Sequence, residues 1–390
     1  MVCDGGCADV VTIRFVHTAD WQLGMTRRYL SEEAQARFSQ ARVDAIRRIG
    51  LVAKEEGAAF IVVAGDVFES NQLETRTVRR TLEALSEVPV PVYLLPGNHD
   101  PLDAGSVYRS PTFESNRPAN VFVLDGPSPR TPTAGVEVVG VPWMTKQALH
   151  DPVEAAVAAL EPSPTVPRVL VAHGAVRDVL GGGGPSAIDV DKAEKAIADK
   201  RISYLALGDR HSTTPLGTSG QIYYSGSPEP TAYDEVDAGN VLVVDLGANG
   251  ECAVHPRRVA TWRFVINNFE LDGLPDVESL GRWLDSQADK EKCVARLTFA
   301  GTISLSVDAA LQDVLERHRD LFGAIELAAQ SELIVRPDND DFSDLALTGF
   351  AAETVAELRA TASGASQQAD VARAALALLV RLGGDAGGGR

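Results

Sequence analysis

The chain has 390 residues, of which 45 % are hydrophobic, and a formal net charge of −18 at pH 7. This length predicts one large core plus a smaller module. No apolar run approaches the ~18 residues of a membrane span, and the first ten residues lack the apolar stretch of a secretory signal. Four sparse cysteines fit neither a zinc site nor a disulfide framework, so we expect a cytoplasmic protein.

Five apolar runs predict buried strands, and polar side chains follow each of them closely. The runs are Thr12–Val16, Phe60–Ala64, Val92–Leu95, Val169–Ala172 and Tyr204–Leu207; the polar residues are Asp20, Gln22, Asp66, Asn98, His99, His173, Asp209 and His211. In layered α/β folds ligands bind beyond the carboxyl ends of strands, so five such ends can converge on one pocket. Carboxylate, amide and imidazole groups suit Mn²⁺, Fe or Mg²⁺ better than thiolate-preferring metals. The pattern predicts a two-metal hydrolase.

Each motif taken alone has an ordinary structural explanation. Asp66 after Gly65 fits a helix N-cap, and a histidine at a strand end is often only hydrogen-bonded structure. A plain turn explains Gly97-Asn98 but not the His99 that follows at once. The joint occurrence at five strand ends favours one shared site over five unrelated turns.

The remaining segments up to residue 260 alternate between helical and strand patterns. Helices are predicted over Glu32–Glu56, Thr75–Ser86, Pro152–Leu160 and Asp191–Lys200, and strands over Val121–Leu124, Val136–Val141, Gln221–Tyr224, Val241–Leu246 and Cys252–Val259. We expect the last three strands to be antiparallel and to close the second sheet. Two sheets flanked by helices make a four-layer αββα sandwich.

A β-α-β-α-β pattern begins near Trp262 and predicts a small α+β module. Its strands are Trp262–Glu270, Cys293–Phe299 and Ala324–Leu327, and its helices are Val277–Gln287 and Ala309–His318. The module either caps a substrate groove or only stabilises the fold. The polar stretch 336–343 is linker-like, and two apolar-faced helices, Ala351–Ala362 and Gln367–Leu382, have no evident core within the chain to meet. The chain therefore divides into a flexible N-terminus (1–10), the sandwich (11–260), a capping domain (261–335), and a linker with docking helices and a disordered tail (336–390).

The motif order over residues 11–260 resembles that of the calcineurin-like metallophosphoesterases. That family reads D-x-H, then GD, GNH[DE], H and G-H-x-H. The stretches HTADWQLG, AGDVFES and YYSGSPEPTAYDE are most similar to SbcD-type DNA-repair nuclease subunits, which work with an SbcC-type ATPase. The resemblance implies the metallophosphoesterase sandwich, two divalent metal ions and DNA as substrate.

The resemblance also implies a role for each polar residue. One ion is expected on Asp20, residue 22, Asp66 and His211, and the other on Asp66, Asn98, His173 and residue 209, with Asp66 bridging the two. Mn²⁺ is the first choice, with Mg²⁺ or Fe as alternatives. His99 is expected to protonate the leaving oxygen. Asp100 is expected to orient the His99 imidazole. Arg27, Arg28 and Glu69 are candidates for substrate contact, although ordinary solvated side chains explain them as well.

Two ligand positions depart from the family pattern, because Gln22 and Asp209 stand where it has histidines. A glutamine oxygen is a weaker ligand than imidazole, whereas an aspartate adds charge. The departures favour harder cations such as Mn²⁺ or Mg²⁺. Alternatively, they mark a degenerate site that holds one ion and catalyses poorly.

Three functions stay open from the sequence. The first is a DNA nuclease that works with an SbcC-type ATPase or as a homodimer. The second is a stand-alone phosphoesterase acting on a small phosphodiester such as a cyclic nucleotide, which the acidic charge favours because DNA-binding proteins usually carry basic surfaces. The third is a weakly active metal-binding scaffold.

Overall fold

The computed structural model describes residues 12–146, 150–177, 184, 186–247, 250–336, 349–362, 364, 366–369, 371–372, 374–376 and 378–379. These residues form two compact units. The first holds the described residues up to Arg27 and Gln35–Trp262, and the second holds Arg28–Ala34 and the described residues from Arg263 onward. The predicted flexible N-terminus, most of the predicted linker and the end of the predicted tail lie outside the described residues. None of the described helices combines the length and apolarity needed to cross a membrane.

Up to Trp262 the described chain alternates between strands and helices, as predicted. The strands are β1 (Thr12–Thr18), β2 (Ile61–Val63), β3 (Val92–Leu94), β4 (Val121–Val123), β5 (Glu137–Val141), β6 (Arg168–His173), β7 (Tyr204–Gly208), β8 (Thr214–Leu216), β9 (Ile222–Tyr224), β10 (Asn240–Gly247) and β11 (Cys252–Arg258). The helices are α1 (Glu32–Glu55), α2 (Thr75–Ser86), α3 (Pro111–Asn116), α4 (Pro152–Ala159) and α5 (Val190–Ala198). Asp151 caps α4 by accepting the backbone N–H groups of Val153 and Glu154.

The strands form two sheets, in the orders β11-β10-β1-β2-β3-β4 and β5-β6-β7-β9-β8. Strands β1 to β4 are mutually parallel, as are β5, β6, β7 and β9. The predicted place of β10 and β11 in the second sheet is wrong, because β10 pairs antiparallel with β1. Strand β9 does lie in the second sheet and pairs antiparallel with β8, as expected, although it runs parallel to β7 on its other edge. Only one residue of β10 is not buried, which suits a strand with neighbours on both edges and both faces.

The packing confirms the four-layer αββα sandwich. Side chains from both sheets, such as Phe15 and Tyr204, share one core between them. Val43, Ile46 and Leu82 of α1 and α2 pack on the outer face of the first sheet. Val153 and Ala193 of α4 and α5 pack on the outer face of the second. The parallel strands therefore end in polar loops at the edges of a closed apolar interior.

The second unit contains the predicted β-α-β-α-β pattern and one strand more. Its elements are β12 (Arg263–Leu271), α6 (Leu274–Ser286), β13 (Cys293–Ile303), α7 (Leu305–Arg319), β14 (Ala324–Leu327), β15 (Glu332–Val335) and α8 (Phe350–Ala362). Strand β13 pairs in parallel with β12 and β14, and its last four residues pair with β15. Residues of α6 and α7 form the core with this sheet.

The C-terminal segments do meet a core, contrary to the sequence prediction. Val355 and Ala362 of α8, together with Ala372 and Leu376, form a buried cluster with Leu305. The pattern of apolar residues on each helix could not identify this contact, because the partner residue lies at the start of α7. Val371 and Leu378, by contrast, are 65 % and 53 % exposed.

Candidate metal centre

The polar residues at the ends of β1, β2 and β7 adopt an uncommon backbone conformation. Four of the six described non-glycine residues with positive φ are predicted ligands: Asp20 (54°), Gln22 (51°), Asp66 (51°) and Asp209 (108°). This conformation is costly for residues with a Cβ atom and tends to persist where a site requires it. It places the side chains close together at the strand ends.

Two glycines allow the strand-end loops to approach one another. A Cβ atom on Gly97 would lie 2.1 Å from Asp66 Oδ1, and one on Gly208 would lie 2.0 Å from the Ala64 carbonyl oxygen. Contacts this short do not occur with a real Cβ atom. The glycines of the GNHD and GDRH motifs are therefore needed for the loops to close around Asp66 and His173.

Asp20, Asp66 and His173 form the centre of the site. One ligand atom from each lies within 4.8 Å of the others, and all three residues are buried. His173 Nδ1 donates to the Ala64 carbonyl oxygen at 2.8 Å, while its Nε2 lies 2.8 Å from Asn98 Oδ1 and 3.4 Å from Asp66 Oδ1. The Asp209 backbone N–H donates to both Asp20 oxygens at 3.1 Å. The structure thus brings these candidate ligands from the ends of five strands into one place.

Gln22 shows that the residues present fit a cation. Its Nε2 donates to Asp66 Oδ2 at 3.0 Å, while its Oε1 is buried and has no hydrogen-bond partner within the described protein. A buried acceptor without a donor is unfavourable, and a cation beside Asp66 would satisfy it. The donor set of carboxylates, amide oxygens and imidazoles is the one expected for Mn²⁺, Mg²⁺ or Fe.

His211 faces the site from the loop after β7 and is held by a separate segment. Its Nδ1 lies 2.7 Å from Thr231 Oγ1 and 2.9 Å from Glu235 Oε1. Sequence reasoning did not identify Thr231 and Glu235 as site residues. Their segment stood out only as part of the stretch that resembles SbcD-type subunits.

His99 lies at the edge of the centre, where its side chain is 43 % exposed. Its backbone N–H donates to Asp66 Oδ1 at 3.0 Å, and its Nε2 lies 3.9 Å from Asp66 Oδ2. The predicted orienting contact from Asp100 is wrong: the Glu69 carbonyl oxygen holds His99 Nδ1 at 3.1 Å. Asp100 instead accepts the N–H groups of Gly97 and Phe68 and the Tyr108 hydroxyl, so it fixes the shape of the loop.

The three candidates for substrate contact have different environments. The Arg27 guanidinium is engaged with the Thr231 carbonyl oxygen, at 2.9 Å from Nη2. Arg28 is exposed and belongs to the second unit. Glu69 contributes its carbonyl to His99, and its Oε2 is buried without a partner in the described protein. Arg27 therefore supports a neighbouring segment instead of presenting a free charge.

Burial and crowding shift the pKa values of the central groups. Desolvation raises the pKa of Asp20 to about 7, although His211 and His173 act against it. Desolvation, helped by the charge of Asp66, raises the pKa of Asp100 to about 6. Desolvation lowers the pKa of His173, but Asp66, Asp20 and Asp209 outweigh it and hold that pKa well above the usual value. His211 behaves alike, because Glu235 and Asp20 raise its pKa more than burial lowers it.

These shifts predict that the metal-free protein loses thermal stability as the pH rises from about 5 to 8. Each of the four raised pKa values means that the folded protein binds more protons than the unfolded chain, so stability falls with pH. Two lowered pKa values act the other way. Burial lowers the pKa of His17 to about 3, which opposes the trend over the same range but is one group against four. His173 and His99 outweigh the desolvation of Asp66, but its lowered pKa acts only below about pH 4. Melting curves in EDTA across this range test the prediction, and added Mn²⁺ should restore stability most at pH 8. A melting temperature that rises with pH in EDTA would contradict it.

Several known proteins are similar in sequence to this chain. Residues 13–229 match the calcineurin-like phosphoesterase family. The chain is 29 % identical over 256 residues to the DNA double-strand break repair protein Mre11 of Archaeoglobus fulgidus. The aligned region covers 59 % of this chain and 53 % of that protein. It is 29 % identical over 314 residues to the SbcD subunit of the SbcCD nuclease of Bacillus subtilis, covering 71 % of this chain and 77 % of that protein. For the SbcD subunit of Rhodobacter capsulatus the identity is 27 % over 303 residues, with 64 % and 71 % covered. The match thus spans about half the length of the archaeal relative and about three quarters of the bacterial ones.

Proposed function

The chain belongs to the calcineurin-like phosphoesterase family, and from this premise we propose that it is a two-metal phosphodiesterase that cleaves DNA during repair. We further propose that it acts as a nuclease subunit with an SbcC-type ATPase. The observation that carries the proposal is the convergence of Asp20, Asp66 and His173 within 4.8 Å at the ends of parallel strands. The similarity to the SbcD subunit of the SbcCD nuclease supports the choice of substrate.

In this proposal the residues of the chain bind the ions, orient the phosphate and supply a proton. Asp20, Gln22 and His211 would hold one ion, Asn98, His173 and Asp209 would hold the other, and Asp66 would be shared by both. The two ions would polarise the phosphate and activate the attacking water. His99 has its Nδ1 engaged by Glu69, so its Nε2 is available to carry the proton for the leaving oxygen.

We propose Mn²⁺ as the native ion, because the donor set is rich in oxygen but keeps two histidines. Gln22 makes the ion on Asp20 and His211 the weaker of the two. At the other ion, the Asp209 carboxylate stands where the family pattern has a histidine. Its negative charge would compensate for the loss of that imidazole ligand. The site would therefore fill in two steps as the metal concentration rises.

The substitution Gln22→His is expected to tighten binding of the weaker ion and to raise the Mn²⁺-dependent rate. Imidazole binds first-row ions better than an amide oxygen does. Calorimetric titration with Mn²⁺ measures the change, and Gln72→His on the exposed surface controls for adventitious binding by a new histidine. Unchanged Mn²⁺ affinity in Gln22→His would mean that residue 22 does not ligate the ion.

The charge distribution bears on how DNA would be bound. Arg47 pairs with Glu87, Arg48 with Glu229 and Arg257 with Glu56. Several arginines that could have formed a basic surface are thus neutralised, and the whole chain carries −18. We therefore propose that the ATPase partner supplies part of the DNA-binding surface.

One comparison separates the candidate functions. Mn²⁺-dependent hydrolysis of linear DNA is measured beside hydrolysis of bis(p-nitrophenyl) phosphate, with and without the ATPase. Hydrolysis of both, with DNA cleavage stimulated by the ATPase, supports the nuclease. Hydrolysis of the small ester alone supports the phosphodiesterase that the acidic charge favours. Hydrolysis of neither supports the metal-binding scaffold.

We propose that the C-terminal segment docks the partner or a second copy of this chain through its exposed apolar residues. Because Ala372 and Leu376 pack inside the second unit, docking would use Val371 and Leu378 instead. Such spaced apolar side chains on one segment are typical of helix-in-groove recognition.

The double substitution Val371→Asp and Leu378→Asp is expected to abolish co-purification with the ATPase, or dimerisation, without changing hydrolysis of the small ester. Both side chains are exposed, so the fold should tolerate the change. Val236→Asp, at a residue that is 90 % exposed in the first unit, is the matched control. Retained association in the double variant would exclude this surface as the docking site.

A further inference from the structure

The segment from Glu229 to Glu235, here called the strap, contacts the imidazole of His211. Thr231 Oγ1 and Glu235 Oε1 both lie within hydrogen-bond distance of His211 Nδ1. Glu235 also accepts the Thr231 backbone N–H at 2.9 Å and hydrogen-bonds the Thr231 hydroxyl. The Glu235 side chain is only 6 % exposed. The three groups form a closed triangle in which the His211 side chain is 25 % exposed and the other two are buried.

This triangle determines which nitrogen of His211 carries the proton. A carboxylate such as Glu235 only accepts hydrogen bonds, so it favours the form of His211 with hydrogen on Nδ1. The Nε2 lone pair is then left for an ion. Carboxylates that hold a ligating histidine in this way orient the ring and raise its basicity.

The strap is itself anchored from three directions. Arg27 binds the Thr231 carbonyl, and the buried Arg42 binds the Pro230 carbonyl at 3.0 Å. The Glu229 carboxylate accepts the backbone N–H groups of Thr261 and Trp262 and pairs with Arg48. The position of Thr231 and Glu235 against His211 is therefore fixed by the surrounding fold.

We propose that Thr231 and Glu235 are positioning residues that set the affinity of the ion held by Asp20 and His211. The inference rests on the proposed role of His211 as a ligand. One of the donors proposed for this ion is the amide oxygen of Gln22, which is a weaker ligand than imidazole. The affinity of this ion therefore depends strongly on a well-oriented His211. Thr231 and Glu235 meet the centre at His211, so the other ion should not respond to them.

The test is Mn²⁺ titration of the full-length chain by calorimetry, without substrate, in the wild type, in four variants of the strap and in His211→Ala. Thr231→Val keeps the size of the side chain and removes the hydroxyl, Thr231→Ser restores the hydroxyl, and Glu235→Ala removes the carboxylate. Asp234→Asn, at the exposed neighbouring residue, is the control. Thr231→Val and Glu235→Ala are expected to weaken one ion by about 10–100-fold and leave the other unchanged. Thr231→Ser and Asp234→Asn should bind both ions as the wild type does.

Two results would overturn the proposal. The first is wild-type affinity for both ions in Thr231→Val and Glu235→Ala, while His211→Ala loses one ion. The second is equal weakening of both ions together with a lower melting temperature in EDTA, which would indicate a merely structural role. Failure of the wild type to bind two ions, or full binding by His211→Ala, would instead overturn the proposed role of His211, and the positioning role with it.

Discussion

Substitution of Asp66 by alanine is expected to reduce phosphodiester hydrolysis to the uncatalysed level and to remove both metal ions. The two carboxylate oxygens of Asp66 face different groups: Oδ1 contacts His99 N and His173 Nε2, and Oδ2 contacts Gln22 Nε2. Only a carboxylate has two oxygens to share between two cations in this way. Loss of Asp66 therefore affects both ions, whereas loss of any other ligand should affect mainly one.

The experiment requires a measurement of metal content apart from activity. Asp66→Asn keeps an oxygen that can accept the His99 backbone N–H, so it separates loss of charge from loss of the loop contact. Asp125→Ala, at a side chain that is 63 % exposed, is the control. Two tightly bound ions in Asp66→Ala, measured by elemental analysis after dialysis, would rule out the bridging role.

Substitution of His99 by alanine is expected to lower kcat on DNA by about 10²–10⁴-fold, the usual contribution of general acid catalysis. Metal content should stay at the wild-type level. The contact that His99 makes with Asp66 Oδ1 comes from its backbone N–H, which alanine retains. Only the exposed imidazole, held by the Glu69 carbonyl, is lost.

The choice of substrate sharpens this experiment. The alkoxide that leaves from DNA needs a proton, whereas p-nitrophenolate leaves without one. His99→Ala should therefore impair DNA cleavage far more than hydrolysis of bis(p-nitrophenyl) phosphate. His255→Ala, at a side chain that is 60 % exposed on β11, is the control. Parallel loss of metal and of activity on both substrates would assign His99 as a ligand instead.

The sequence predicted the strands that carry the candidate ligands because each is a short apolar run followed at once by polar residues. It could not assign β10 to a sheet, since an apolar run that is buried on both faces contains no information about which strand lies beside it. Strand β15, Glu332–Val335, was not predicted because it offers only three consecutive apolar residues, which is too short a run to indicate a strand. The cluster of Val355 with Leu305 joins residues 50 positions apart, which periodicity within a helix cannot reveal.

For the candidate site too, the sequence predicted some features and not others. The types and order of its polar residues predicted which side chains would converge, because the carboxyl ends of the parallel strands are where layered folds bind ligands. Contacts between those side chains were not predictable. Asp100 follows His99 directly, yet it points to Gly97 and Tyr108. Glu235 lies 24 positions after His211, yet it contacts its ring.

The antiparallel pairing of β1 with β10 has a consequence for synthesis on the ribosome. The ion pair between Arg14 and Asp245 joins residues 231 positions apart. At roughly 5–20 residues per second, β1 waits about 12–46 s for its neighbour to emerge. During that interval one edge of a buried, apolar strand is open to pairing with other chains. We expect nascent chains that stall before residue 240 to depend on chaperones and to aggregate without them.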